Sequence, residues 1–123
     1  MTIPYGPWHI VTNHYSYTLN ITDVTQGIVT GTIQLTASDT YNISGSWDAS
    51  TNKLTFTFSF PLNIGMGPFT VTASFTGYLF EGPGSALFQG PPGPASAPYR
   101  YLLAGTFQYM GTPYVHGWVA RIN

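Results

Sequence analysis

Between Gly27 and Phe60 the chain alternates apolar and polar residues almost without interruption. Val29, Gly31, Ile33 and Leu35 share one parity, against Thr30, Thr32 and Gln34 on the other. Tyr41, Ile43, Gly45 and Trp47 oppose Asn42, Ser44 and Ser46, and Leu54, Phe56, Phe58 and Phe60 oppose Thr55, Thr57 and Ser59. Successive side chains of a strand leave opposite faces, so this spacing predicts three strands, each dry on one side and wet on the other. The segments between them, around Asp39 and from Ala49 to Asn52, are built of residues that tolerate tight reversals. An antiparallel meander follows.

The flanking sequence extends the pattern on both sides. Ile3 to Thr12 is a first strand, frayed at its start by Pro4, Gly6 and Pro7. Tyr15 to Thr22 is a second, with Tyr17, Leu19 and Ile21 inward, and Asp23 to Gly27 forms a turn. Pro61 is expected to stop the fifth strand, leaving a loop to Pro68 that carries Met66. Phe69 to Phe80 alternates again, with Phe69, Val71, Ala73, Phe75, Gly77 and Leu79 on the apolar parity. Glu81 to Pro98 is long and rich in Pro and Gly, the composition of a mobile connection or a functional lid. Tyr99 to Met110 and Tyr114 to Asn123 complete the set, the first with Tyr101, Leu103, Gly105, Phe107 and Tyr109 inward, the second with His116, Trp118, Ala120 and Ile122.

Eight consecutive antiparallel strands in a single domain, residues 1–123, can lie flat, fold into a sandwich or close. Only seven side chains are permanently charged, too few to guard the edges of an open sheet. The predicted class is therefore all-β, an eight-stranded antiparallel up-and-down (meander) barrel, a size that holds either packed side chains or one small ligand. Mid-strand glycines at positions 31, 45, 77, 105 and 117 suit the strong coiling that closure demands.

With a net charge of −1 the chain has no basic stripe for nucleic acid and no polybasic or acidic segment for a charged partner or a membrane surface. No stretch approaches the roughly 20 apolar residues of a membrane-spanning helix. Cysteine is absent, so neither disulfides nor thiolate chemistry enters. The Ser- and Thr-rich, charge-poor composition leans towards an extracellular setting, although the N-terminus carries no signal-peptide pattern.

Several of these segments resemble the avidin/streptavidin family, a group of calycin-like barrels. Thr30-Gly31-Thr32, following Ile21-Thr22-Asp23-Val24, is similar to that family's second hairpin. Ile43-Ser44-Gly45-Ser46-Trp47-Asp48 is similar to its fourth strand, Phe75-Thr76-Gly77-Tyr78 to its sixth, and Tyr101-Leu102-Leu103 to its seventh, while Trp8 can match its first-strand tryptophan. The resemblance implies the barrel fold and association between barrels through the later strands. Biotin contacts are not carried over. Ile33 stands where the family has a ureido-binding tyrosine, and Leu35, Val71 and Ala73 replace small polar or hydroxyl groups. Phe60 and Tyr101 replace ring-packing tryptophans, and the loop that closes over biotin is reduced to the turn at Asp39. Buried donors lost from a polar site cannot be lost without affinity.

Parity places every formal charge in turns or on the outer face and leaves His9 and His116 as the inward ionisable bases, on strands that become neighbours on closure. An imidazole hydrogen-bonded near a barrel mouth explains each of them without catalysis, for which inward carboxylates are missing. His9, His14 and His116 lack the spacing and company of a metal site, so no cofactor or metal is expected. The candidate ligand-binding residues are Tyr41, Phe56, Phe58, Phe75, Tyr101, Phe107, His116 and Trp118, large rings facing small residues, with Tyr109 a further polar anchor. The same rings can equally pack into a dry core. Outward, Trp8, Ile10, Leu102, Met110, Val115 and Val119 form an apolar patch across the first, seventh and eighth strands, the expected interface of a homo-oligomer. The functional expectation is a non-enzymatic, self-associating barrel that binds a small, mostly apolar molecule. A barrel enzyme acting on a hydrophobic substrate, of cyclase or isomerase type, and a scaffold with a filled barrel are the alternatives.

Overall fold

A computed structural model of the chain describes residues 2–13, 15–63, 68–81 and 101–122. His14, Met66 and the expected loop beyond Glu81 lie outside the described residues. The strands are β1 (Gly6–Thr12), β2 (Ser16–Thr25), β3 (Ile28–Thr36), β4 (Asp39–Asp48), β5 (Lys53–Asn63), β6 (Pro68–Glu81), β7 (Tyr101–Tyr109) and β8 (Val115–Ile122). Each pairs antiparallel with the next, and β8 pairs antiparallel with β1, so the eight close into an up-and-down barrel. β1, β3, β5 and β7 finish at one mouth of the barrel, and β2, β4, β6 and β8 finish at the other.

Local chemistry sets the turns. β2 runs on to Thr25, and the reversal is the two-residue turn Gln26-Gly27, with φ of 53° and 79°. Positive φ at both positions matches the twist of a hairpin. The expected turn from Asp23 is thus replaced by more strand, the extra residue being absorbed in a bulge between Ile21 and Asp23. After β4, the Asp48 carboxylate accepts hydrogen bonds from the Ser50 amide (2.9 Å) and hydroxyl (2.6 Å), which hold it below the usual carboxylate range. At the opposite end, the Tyr109 carbonyl accepts from the Thr112 amide (3.2 Å) and hydroxyl (3.0 Å).

Two further expectations are corrected. Pro61 does not stop β5, which continues to Asn63 with Pro61 opposite Thr70 of β6. The ladder between β4 and β5 runs only from Ser44↔Thr57 to Asp48↔Lys53, so at Pro61 the β5 edge facing β4 has no ladder to break. The side of β1 is also reversed. Trp8 and Ile10, expected outward at an interface, are 0% exposed, and His9, expected inward, is outside. Directly paired residues share a face, and Trp8 lies opposite Leu19 and Ile10 opposite Tyr17 and Ala120, all inward. Burying Trp and Ile removes more apolar area from water than burying His and Val, and the indole N–H is satisfied by the Pro4 carbonyl at 3.1 Å.

All described buried side chains are apolar, and all but the outward Leu102 form one cluster in the lumen. Asp23, Asp39, Asp48 and Arg121 are exposed and Lys53 half-exposed, so no charge described enters the interior.

Candidate functional site

The inner faces of β5 to β8 are organised in cross-strand rows. One row in the far half reads Leu54↔Gly77↔Gly105↔Trp118. Gly77 makes room for the Trp118 indole, and Gly105 lets the backbones of β6 and β7 approach closely. A Cβ at Gly77 would stand 2.5 Å from Trp118 Cζ2, and one at Gly105 would collide with the Thr76 carbonyl oxygen. The indole N–H donates to two carbonyls, Thr76 O at 3.2 Å and Thr106 O at 3.0 Å. Trp118 is thereby pinned across β6 and β7.

Above it, Phe56↔Phe75↔Phe107↔His116 forms a row of four rings. Phe56 and Phe75 stack with centroids 4.8 Å apart, Phe75 and Phe107 at 4.7 Å, and Phe107 and His116 at 5.0 Å. Trp118 meets Phe75 edge-on at 5.6 Å. The large side chains of these two rows other than His116, with Leu103, Leu79, Trp47 and Val29, belong to the buried cluster that fills the far half of the lumen.

The next rows upward, Phe58↔Ala73↔Tyr109 and Phe60↔Val71, do not fill it. A cavity of about 500 Å³ opens here, lined by Phe58, Phe60, Val71 and Tyr109 on one wall and Tyr15, Tyr17, Leu35 and Thr36 on the other, with Phe75 below and Thr112 at the rim. Phe60 meets Tyr109 edge-on at 6.3 Å and Tyr15 stacks on Tyr17 at 6.0 Å. A separate recess of about 50 Å³ lies beside it, among Thr12, Asn13, Tyr15, Phe107, Tyr109 and His116. Where β4 and β5 part, beyond Ser44↔Thr57, Tyr41 and Phe60 bridge the seam with rings 6.3 Å apart.

Polar groups in the cavity are few. They include the phenols of Tyr17 (β2) and Tyr109 (β7), which line the cavity from opposite sides of the lumen. Burial pushes the Tyr17 phenol well above its ordinary value, with Tyr109 and then Tyr15 adding to the rise, so Tyr17 is a neutral hydrogen-bonding group at physiological pH. Thr36 Oγ1 is engaged by Asp39 Oδ2 at 2.9 Å and Thr112 Oγ1 by the Tyr109 carbonyl, both within turns. Among the described residues no cluster of His, Asp or Glu could hold a metal ion.

Of the ligand-binding candidates read from sequence, Phe58 and Phe75 line the cavity. Phe107 and His116 line the small recess, while Phe56 and Trp118 lie beneath, in the filled half. Tyr41 stands at the seam against Phe60, and Tyr101 is at the other end of the barrel, opposite Ile122. Tyr15, Tyr17, Leu35, Thr36, Phe60, Val71 and Thr112 were not among those candidates. Parity had already placed Tyr17, Leu35, Phe60 and Val71 inward. The missing signal was height, since these residues all lie towards the ends of their strands at one mouth.

The outer surface divides as sharply as the interior. Thr, Ser and Asn cover β2 to β5, with hydroxyl pairs such as Ser46–Thr55 at 2.6 Å. Across β6, β7, β8 and β1 a single row instead reads Tyr78↔Ala104↔Val119↔Val11, with Phe80↔Leu102 beside it. Tyr78, Phe80, Val11, Val119, Val115 and Met110 are exposed, whereas Leu102 is only 6% exposed. No helix of the described residues is long and apolar enough to cross a membrane. Compared with known proteins, the chain matches no family model, no curated protein and no solved structure.

Proposed function

We propose that this barrel binds a small, mostly apolar molecule, without catalysis, in the cavity at the mouth where β1, β3, β5 and β7 finish. The observation that carries the reading is the half-filled lumen: about 500 Å³ stays open above the ring row, walled by hydrophobic and aromatic side chains. That volume and that lining, apolar with a few polar anchors, are the usual composition of small-molecule sites. The chemistry favours binding over turnover. The polar groups facing the cavity are phenols and turn-bound threonines, and among the described residues no carboxylate or amine lines it to act as general base or acid. An avidin-like character of the barrel belongs to the same reading, resting on the strand motifs. Biotin is not the ligand proposed, since Ile33, Leu35, Val71 and Ala73 offer no donor to a ureido group.

Titration with N-phenyl-1-naphthylamine, a neutral probe that fluoresces in apolar surroundings, tests the site. The expected result is saturable binding of one probe per barrel, lost in Val71→Trp, which fills the cavity from its wall. Absence of saturable binding, or binding unaffected by Val71→Trp in a folded variant, would remove the reading.

Self-association is the second part of the proposal. It is supported by the exposed apolar row Tyr78, Ala104, Val119 and Val11, with Val115, Met110 and Phe80 near it. Trp8 and Ile10 drop out of the expected interface because they are core residues. Sedimentation of the wild type at micromolar concentration should give an oligomer, and Val119→Lys should shift it to the monomer. A wild-type monomer would reject the interface.

A further inference from the structure

Building on the cavity as a ligand site, we infer that its occupant is an uncharged, flat, ring-containing molecule with one hydrogen-bond-accepting oxygen, held by the Tyr17–Tyr109 hydroxyl pair. Three observations converge on this class. The first is the wall: Tyr15, Tyr17, Phe58, Phe60, Phe75 and Tyr109 are six aromatic rings among the ten lining residues. Rings prefer rings in stacked or edge-on geometry, each such pair adding about 0.5–1.5 kcal/mol beyond the area it buries. A flat ligand can continue these contacts on both faces, whereas a flexible chain forgoes them and gives up rotamer freedom as well. The space suits about twenty non-hydrogen atoms at the packing density of an interior.

The second observation is charge. Asp23, Asp39, Asp48, Lys53 and Arg121 all lie outside the cavity lining, so a carboxylate or ammonium entering it would find no counter-ion among the described lining residues. His116 stacks on Phe107 and lines the separate recess.

The third is a count of hydrogens. Thr36 and Thr112 hydroxyls are already bonded within their turns. Tyr17 and Tyr109 bring two O–H hydrogens to the cavity lining. The two phenols can use at most one of these between themselves, which leaves at least one for a ligand oxygen. A ketone, ether or aldehyde oxygen accepts it. A pure hydrocarbon would leave that donor unpaired, a loss that a site built to hydrogen-bond its ligand turns into discrimination.

The test displaces N-phenyl-1-naphthylamine with three neutral competitors of similar size: 2-acetonaphthone, 2-ethylnaphthalene and 2-undecanone. The ring ketone should bind about tenfold more tightly than the ring hydrocarbon, a net hydrogen bond near the upper end of the usual range. It should also outcompete the chain ketone. In Tyr17→Phe and in Tyr109→Phe, which keep the rings, the ketone advantage over the hydrocarbon should fall to within about twofold. Should either variant fail to fold, the wild-type ratios still decide. Equal displacement by ketone and hydrocarbon would overturn the oxygen assignment, and tighter binding of 2-undecanone would overturn the ring assignment. In both of those cases the cavity would survive as a binding site. Failure of the probe itself to bind saturably would overturn the site and this inference together.

Discussion

The two halves of the lumen are enclosed by the same eight strands, yet one is solid and the other open. In the far half, Gly77 leaves room for the Trp118 indole, which bonds to carbonyls of β6 and β7 and packs edge-on against the Phe56–Phe75–Phe107 stack. In the near half the corresponding rows carry Phe58, Ala73 and Tyr109, then Phe60 and Val71, and no indole crosses the centre. Barrel radius is set by strand number and stagger, so filling is decided row by row by side-chain reach. A large ring seated on glycine reaches across; rings stacked along a wall do not.

The comparison can be broken at its strongest point first. Trp118→Ala should cost about 3–5 kcal/mol of unfolding free energy, read from urea denaturation, because it removes a buried indole and leaves a void. The same variant should take up more apolar probe than the wild type, the near cavity now extending downward. Gly105→Ala should cost about 1–3 kcal/mol, because its Cβ collides with the Thr76 carbonyl and β6 and β7 must part. Val71→Ala, in the open half, should cost roughly 1 kcal/mol or less, since Val71 is only half-buried and borders space already empty. A Val71→Ala cost equal to that of Trp118→Ala would mean that the near half is as tightly packed as the far one.

The smallest effect concerns proton linkage at the mouth. A phenol raised in the folded state is neutral in both states below its unfolded value near 10. Its contribution is therefore intact there and is lost as pH climbs from about 10 towards the higher folded value. Stability should accordingly decline on the alkaline side, and Tyr17→Phe should flatten that limb. Absorbance titration should find one phenol ionising after the others in the wild type and none so late in the variant.

Most of the fold was legible from residue type alone. Wherever one parity was apolar and the other Thr, Ser or Asn, as in β3, β4 and β5, the facing followed directly from the cost of burying hydroxyls without partners. β1 misled because both parities there offer apolar groups, Trp8 and Ile10 against His9 and Val11, and only pairing to Leu19, Tyr17 and Ala120 decides between them. Pro61 misled for a related reason. A proline ends a strand that is paired on both edges, but β5 has already left β4 at that height. Among the site residues, ring type and parity marked Phe58 and Phe75 correctly. They also marked Phe56, which shares the row of Phe75 but lies in the filled half, and Trp118, which sits one row lower.

Alternation, turn residues and the scarcity of charge were enough to determine the strand number, their antiparallel order and a closed, uncharged interior. Those properties depend on each residue's own preference for water and on its neighbours along the chain. Which end of the lumen stays open, and that Tyr17 and Tyr109 both line it, was decided only in three dimensions. Height in a barrel comes from register between strands, and a cavity is the space left when rings from distant segments fail to reach one another.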